Sequence, residues 1–122
     1  MSRTVLNEDH IHTGVRERIA SYHTDIIQEV QDAIVKHPVV VVGMGINVFP
    51  KRALAALRSQ GVDAKYLEYG SYFGEWRRRS ALKMWTGWPT FPMVFVKGVL
   101  IGGASETKAL LQSGELQRML SS

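Results

Sequence analysis

The chain contains no cysteine among its 122 residues. This absence excludes disulfide bonds, thiolate nucleophiles, cysteine-ligated zinc and iron–sulfur clusters held by the protein's own thiolates. The chain has four histidines, and His10 and His12 have no carboxylate or cysteine partners at a recognisable ligand spacing. We therefore expect no metal site and no chemistry that depends on a thiol.

Long apolar runs and strong charge are absent as well. No apolar run approaches the roughly 20 residues needed to cross a bilayer, and "MSRTVLNEDH" does not resemble a secretory signal. We therefore expect a cytoplasmic protein that does not bind membranes. The net charge is a mild +4. The consecutive arginines at 77 to 79 fan around a helix, which is typical of a solvated face and does not predict nucleic-acid binding.

The apolar residues that are present follow helix and strand patterns in alternation. "TDIIQEVQDAIVKH" has helical spacing, with Thr24 as the predicted cap and Pro38 as the stop. Val39 to Val42 form an unbroken apolar run, as in a strand covered on both faces. A second helix, "PKRALAALRSQG", precedes a strand at "AKYLEY".

The C-terminal half continues this pattern. A third helix is predicted from roughly Phe73 to Trp85, "MVFV" and "VLIGG" form a hairpin, and a last helix runs from Glu106. The element order is a helix followed by β-α-β-α-β-β-α, which predicts an α/β protein with one mixed sheet covered by helices. Residues 1–20 form an N-terminal extension with one or two helical turns, and residues 21–122 form one domain.

One segment resembles a known family. "TGWPTFPMVFVKGVLIGGASETKALLQSGELQRML" is similar to the C-terminal half of a monothiol glutaredoxin, in which a W-P-T-[FY]-P segment, a strand hairpin and a Gly-Gly turn recur in this order. The resemblance extends over about residues 21 to 121. It implies a thioredoxin-like three-layer sandwich with a four-stranded mixed sheet, and a cis peptide bond before Pro92.

The active site of that family does not survive in this sequence. Its C-G-F-S motif falls on "NVFP", where Phe49 matches, Asn47 replaces the nucleophilic cysteine and Pro50 replaces the serine. Met44 stands in place of the usual lysine. A simpler interpretation is that "NVFP" only starts a helix, with Asn47 as the cap and Pro50 in the first turn. No catalytic residue is expected under either interpretation.

The resemblance still implies a groove for glutathione or a peptide. The positions that match its binding residues are Phe49, Arg79, Lys83, Phe91, Pro92, Gly103 and Ser105. In the family, backbone beside the cis-proline, nearby cations and amides at a helix start bind the ligand. The Cys-Asp or Ser-Asp pair that often follows Gly-Gly is Ala104-Ser105 here. We therefore expect weak glutathione binding and no tightly bound cofactor.

Three functions follow from these observations. The first is a cysteine-less glutaredoxin-like binding module that is redox-inactive by itself. The second is a protein-interaction or regulatory partner in redox or iron–sulfur metabolism, in which the surface matters and the groove does not. The third is a glutathione-dependent disulfide oxidoreductase, which the family resemblance alone implies and the missing thiol contradicts.

Overall fold

The computed structural model describes residues 3–45, 48–70 and 75–122 of the chain. After a 3-10 helix at Glu8–His10, six helices are described: α1 (Thr13–Ala20), α2 (Thr24–Lys36), α3 (Val48–Ser59), α4 (Trp76–Thr86), α5 (Ala104–Ser113) and α6 (Glu115–Ser121). The strands are β1 (Val39–Gly43), β2 (Lys65–Glu68), β3 (Met93–Val96) and β4 (Val99–Gly102). This order confirms the predicted alternation of helices and strands.

The four strands form one mixed sheet in the order β2-β1-β3-β4. β1 is parallel to β2 and antiparallel to β3, and β3 and β4 form the predicted hairpin. All five residues of β1 are buried, because helices cover both faces of the sheet at its centre.

Side chains that alternate along β1 belong to two separate cores. Val40 and Val42 pack with residues of α2 and α4, including Ile26 and Leu82. Val39 and Val41 pack on the other face with residues of α3, α5 and α6, listed in part as Leu57, Leu111 and Leu116. The molecule therefore has three layers, with helices on either side of the sheet.

Several element ends differ from the sequence-based prediction. Thr24 was expected to cap α2, but it is the first helical residue, and the cap position is His23 in a left-handed conformation with φ 45°. α5 begins at Ala104 and not at Glu106, because the Glu106 side chain itself caps the helix start. Phe73, the predicted start of the third helix, lies outside the described residues.

The N-terminal segment contains the 3-10 helix and, in α1, about two turns of α-helix, close to the expected one or two turns. α1 has eight residues, and none of them is buried. Arg3 contacts the body of the protein by donating a hydrogen bond from Nη1 to the carbonyl of Thr86 at 3.1 Å. A domain boundary at residue 20 stays a prediction. Within the described part of the chain, no helix is long and apolar enough to cross a membrane.

Candidate functional site

A cleft of about 910 Å³ opens at the C-terminal end of β1. Its walls come from α3, from the loop that enters β3, and from the start of α5. Six of the seven ligand-binding residues predicted from the sequence line it: Phe49, Lys83, Phe91, Pro92, Gly103 and Ser105. The resemblance therefore predicted one shared location for residues that lie far apart in the sequence.

The loop before β3 forms the floor of the cleft. The Phe91–Pro92 peptide bond is cis, and Phe91 and Pro92 are buried. Lys83 extends from α4, with its Nζ 5.7 Å from the centroid of the Phe91 ring. At this distance the ammonium group interacts with the π face of the ring, so a cation is held beside the Phe91 backbone.

The α3 wall carries a second cation. Phe49 is 48% exposed, and the guanidinium carbon of Arg52 lies 5.3 Å from the centroid of its ring. Met44 lines the cleft in place of the lysine of the family. Pro50 is buried in the first turn of α3, and Asn47, directly before this helix, lies outside the described residues.

The α5 wall contains a carboxylate that the sequence analysis did not single out. Glu106 accepts a hydrogen bond from the backbone N–H of Gly103 at 2.8 Å on Oε1 and one from the Ser105 hydroxyl at 3.2 Å on Oε2. The Gly103 N–H holds the pKa of the Glu106 carboxyl below its usual value. The carboxylate is therefore ionised at neutral pH. It already accepts a hydrogen bond from one of the backbone amides at the helix start that could otherwise bind an anion.

Arg79 does not reach the cleft, contrary to the prediction. It is 5% exposed, and its Nη1 donates a hydrogen bond to the carbonyl of Tyr69 at 2.9 Å. The expectation that residues 77 to 79 form one solvated face was also wrong. Arg77 is exposed, whereas Arg78 bridges Asp25 at 3.0 Å and Glu75 at 2.8 Å, because successive helical residues point about 100° apart.

The cleft residues that sequence analysis missed include Arg52, Trp88, Glu106 and Lys108. Two of them had a recognisable signal. Arg52 lies three residues after Phe49 and Lys108 lies four residues after Ala104, and residues three or four apart share a helix face. The Nε1 atom of Trp88 is buried without a hydrogen-bond partner among the described residues, which no sequence pattern indicates.

One histidine near the N-terminus has a structural role. His12 Nδ1 accepts a hydrogen bond from the Gly14 N–H at 3.1 Å and thereby caps α1. No group of three or more potential metal ligands occurs in residues 3–45, 48–70 and 75–122.

Comparisons with known proteins agree with this geometry. The glutaredoxin family model matches residues 48–101. A glutaredoxin-like protein of Dictyostelium discoideum is 50% identical over 98 residues, covering 80% of this chain and 80% of that protein. A probable monothiol glutaredoxin 2 of Rickettsia prowazekii (strain Madrid E) is 34% identical over 99 residues, covering 77% of this chain and 90% of that protein.

A solved structure shows the same architecture. The buckwheat glutaredoxin of a glutaredoxin–glutathione complex has a TM-score of 0.72 at 25% identity, covering 82% of this chain and 91% of that one. The chain therefore belongs to the glutaredoxin family and has its thioredoxin-like fold, and it does so without a cysteine.

Proposed function

We propose that this protein binds glutathione or a similar peptide in the cleft and performs no thiol redox chemistry by itself. One observation carries the proposal: Lys83 and Phe91 adjoin an open cleft in a chain that has no thiol. The backbone position and the cation that the family resemblance assigns to peptide binding are retained, whereas the nucleophile is missing.

The missing thiol determines what the site cannot do alone. Disulfide exchange begins with attack by a thiolate, and an asparagine amide cannot replace it. A bridging iron–sulfur cluster does not fit these residues either, since Met44, Phe49 and the other described lining residues offer no thiolate ligand. The oxidoreductase activity that the family resemblance implies therefore requires a thiol from another molecule.

Binding is proposed to be weak for an electrostatic reason. Met44 stands in place of a lysine and Ser105 in place of an aspartate, so two charged contacts are lost. A charge-assisted hydrogen bond contributes roughly 1.5–3 kcal/mol. Losing two weakens binding on the order of 100-fold or more relative to a family member that keeps both.

A titration with glutathione followed by amide NMR signals tests the proposal. We expect saturable shifts at Lys83, Phe91 and Ser105 at millimolar concentrations, and no glutathione-dependent disulfide reduction above background. Robust turnover by the unmodified protein would contradict the lack of redox activity. Silent amides at these three positions would contradict the binding function.

A second candidate function has one observation in its favour. Val48 and Phe49 are 54% and 48% exposed at the start of α3, and adjacent exposed apolar side chains are common in protein interfaces. If glutathione leaves the cleft signals unchanged while a protein partner shifts the amides of Val48 and Phe49, the interaction function replaces the binding module.

A further inference from the structure

A second groove lies on the side of the sheet that α2 and α4 cover. It has a volume of about 580 Å³ and is lined by residues of α2, of the end of α4 and of the β3–β4 hairpin: Gln31, Ile34, Val35, Trp85, Thr86, Phe95, Gly98 and Leu100. Within the described part of the chain, it shares no lining residue with the cleft. The groove is therefore a separate surface, which the proposed function does not use.

The groove differs from the cleft in charge. Charged side chains, including Lys83 and Glu106, border the cleft, whereas none of the groove residues named above is charged. The rings of Trp85 and Phe95 stack in the groove with their centroids 6.1 Å apart, and Val35 is 86% exposed. Such a surface favours an uncharged apolar segment, because a charged group would lose its hydration there without gaining a partner.

The N-terminal segment is anchored at the border of this groove. Arg3 donates its hydrogen bond to the carbonyl of Thr86 at 3.1 Å, and Thr86 is itself a groove residue. This carbonyl lies at the end of α4, where helix carbonyls lack partners within the helix and attract a cation. Gly87 makes room for the contact, since a Cβ at that position would overlap the Arg3 guanidinium.

The residues after Arg3 match the groove in chemistry and in reach. Residues 4–7 are Thr-Val-Leu-Asn and carry no charge, and the side chains of Val5 and Leu6 are 67% and 63% exposed. An extended chain spans about 3.3–3.6 Å per residue, so Leu6 lies within about 11 Å of the Arg3 backbone. Two apolar side chains are thus exposed beside an apolar groove whose border already holds the residue before them.

We propose that residues 4–7 are a strap that docks into this groove and places Val5 and Leu6 against the stacked aromatic pair. The structure shows the open form, in which Arg3 is anchored and the two apolar side chains face solvent. Docking removes apolar surface of the strap and of the groove from water. The strap thereby competes with any external segment of the same chemistry for the groove. This inference goes beyond the proposed function and does not depend on it.

The methyl NMR signals of Leu6 test the contact directly. Against aromatic rings they should lie upfield of their positions in the isolated peptide of residues 3–12, with nuclear Overhauser contacts to the Trp85 ring. Arg3→Ala removes the anchor and should lower the equilibrium constant for docking about threefold or more, which moves the signals toward the peptide positions. Arg18→Ala is the matched control, since Arg18 is exposed in α1, and it should leave the signals in place.

The lack of native cysteine allows a second test by cross-linking. Leu6→Cys combined with Val35→Cys should form a disulfide within one molecule under mild oxidation. Leu6→Cys combined with Ser59→Cys should form none, because Ser59 ends α3 and this helix packs on the other face of the sheet. All three positions are exposed, so these variants leave the core intact.

Two results would overturn the inference. The first is a set of Leu6 methyl signals at the peptide positions together with no disulfide inside the monomer. The second is a disulfide between Leu6→Cys and Val35→Cys that forms only between molecules, since the occupant would then be a second copy of the chain. Neither measurement uses glutathione, so a failure here leaves the proposed function standing.

Discussion

Arg79 ties α4 to the segment after β2 by donating a hydrogen bond from Nη1 to the Tyr69 carbonyl at 2.9 Å. Lys83, one turn further along the same helix, is exposed and lines the cleft. The family resemblance assigned both of these basic residues to the same groove. In the structure they have separate roles. Arg79 maintains the structure, and Lys83 is available to a ligand.

Arg79→Met should destabilise the protein and leave the cleft intact. The variant leaves a buried carbonyl at Tyr69 without its donor, which costs about 1–3 kcal/mol in the free energy of unfolding. Urea denaturation measures this loss. Arg77→Met is the matched control, since Arg77 is exposed, and its effect should stay within about 0.5 kcal/mol. If the stability is unchanged and glutathione binding is weaker, Arg79 is part of the ligand site after all.

Lys83→Ala should weaken glutathione binding and leave the stability nearly unchanged, which is the reverse of the result expected for Arg79→Met. Loss of the ammonium beside the Phe91 ring should weaken glutathione binding about tenfold, because one charge-assisted contact is removed. The stability of this exposed position should change by less than about 0.5 kcal/mol. Calorimetric titration gives the affinity. Lys36→Ala, at the exposed end of α2, serves as control, and an equal loss in both variants would indicate only a general effect of charge.

The main elements were predictable from the sequence because their patterns are local. The apolar run at Val39 to Val42 and the helical spacing before Pro38 each depend on near neighbours in the chain. Pro92 and Gly103 were recognised through a family motif with fixed spacing. For these reasons the sheet, the hairpin and the two glycine positions agree with the structure.

The errors concern side-chain contacts and backbone angles that hydrophobic periodicity does not encode. Neither Arg79 with Tyr69 nor Glu106 with the start of α5 has a signature in helical periodicity. The predicted cap at Thr24 failed because His23 adopts φ 45°, and left-handed backbone is uncommon outside glycine. The charge of the cleft depends on such details, so its acidic position was found only in the structure.

Acid should remove the stabilisation that Glu106 provides. The pKa of its carboxyl is lowered in the folded state, chiefly by the Gly103 N–H. The stabilisation is therefore complete above the pKa of the unfolded chain and is lost as the pH falls through the lower folded value. Because Glu106 is exposed, solvent screens the effect and we expect about 0.5–1 kcal/mol.

Urea denaturation of the wild-type protein and of Glu106→Gln tests the prediction. The pH series should run from above the pKa of the carboxyl in the unfolded chain to below its value in the folded protein. The stability difference between the two proteins should narrow as the solution is acidified, whereas other carboxylates affect both proteins alike. A difference that stays constant with pH would mean that the charge of Glu106 does not contribute to stability.

Gly102→Ala should destabilise the protein more than Gly61→Ala. Both glycines have positive φ, at 112° and 73°, so alanine strains the backbone at either site by about 1–2 kcal/mol. A Cβ at Gly61 would meet no atom within 4 Å, whereas one at Gly102 would lie 2.7 Å from Cγ of Glu106. The additional loss at Gly102 should be about 1–3 kcal/mol, as measured by thermal or urea unfolding. Equal losses would indicate that the Glu106 side chain moves away without cost.

Asn47→Cys should give the protein a thiol with low redox activity. Residue 47 directly precedes α3, and a helix start lowers the pKa of a thiol below its usual value of about 8.5. The activity should be low because Met44 supplies no cation to favour the thiolate. Adding Met44→Lys should lower the thiol pKa by about one further unit, which raises the thiolate fraction up to about tenfold.

The ultraviolet absorbance of the thiolate as a function of pH gives the thiol pKa, and glutathione-dependent disulfide reduction gives the activity. Asn47→Ser is the control, since a hydroxyl of similar size and polarity cannot form a mixed disulfide. If Asn47→Cys alone reaches full turnover and Met44→Lys adds nothing, then the cation at position 44 is unimportant for the thiolate. The residue at position 47 alone would then explain why the unmodified protein has no disulfide-reducing activity.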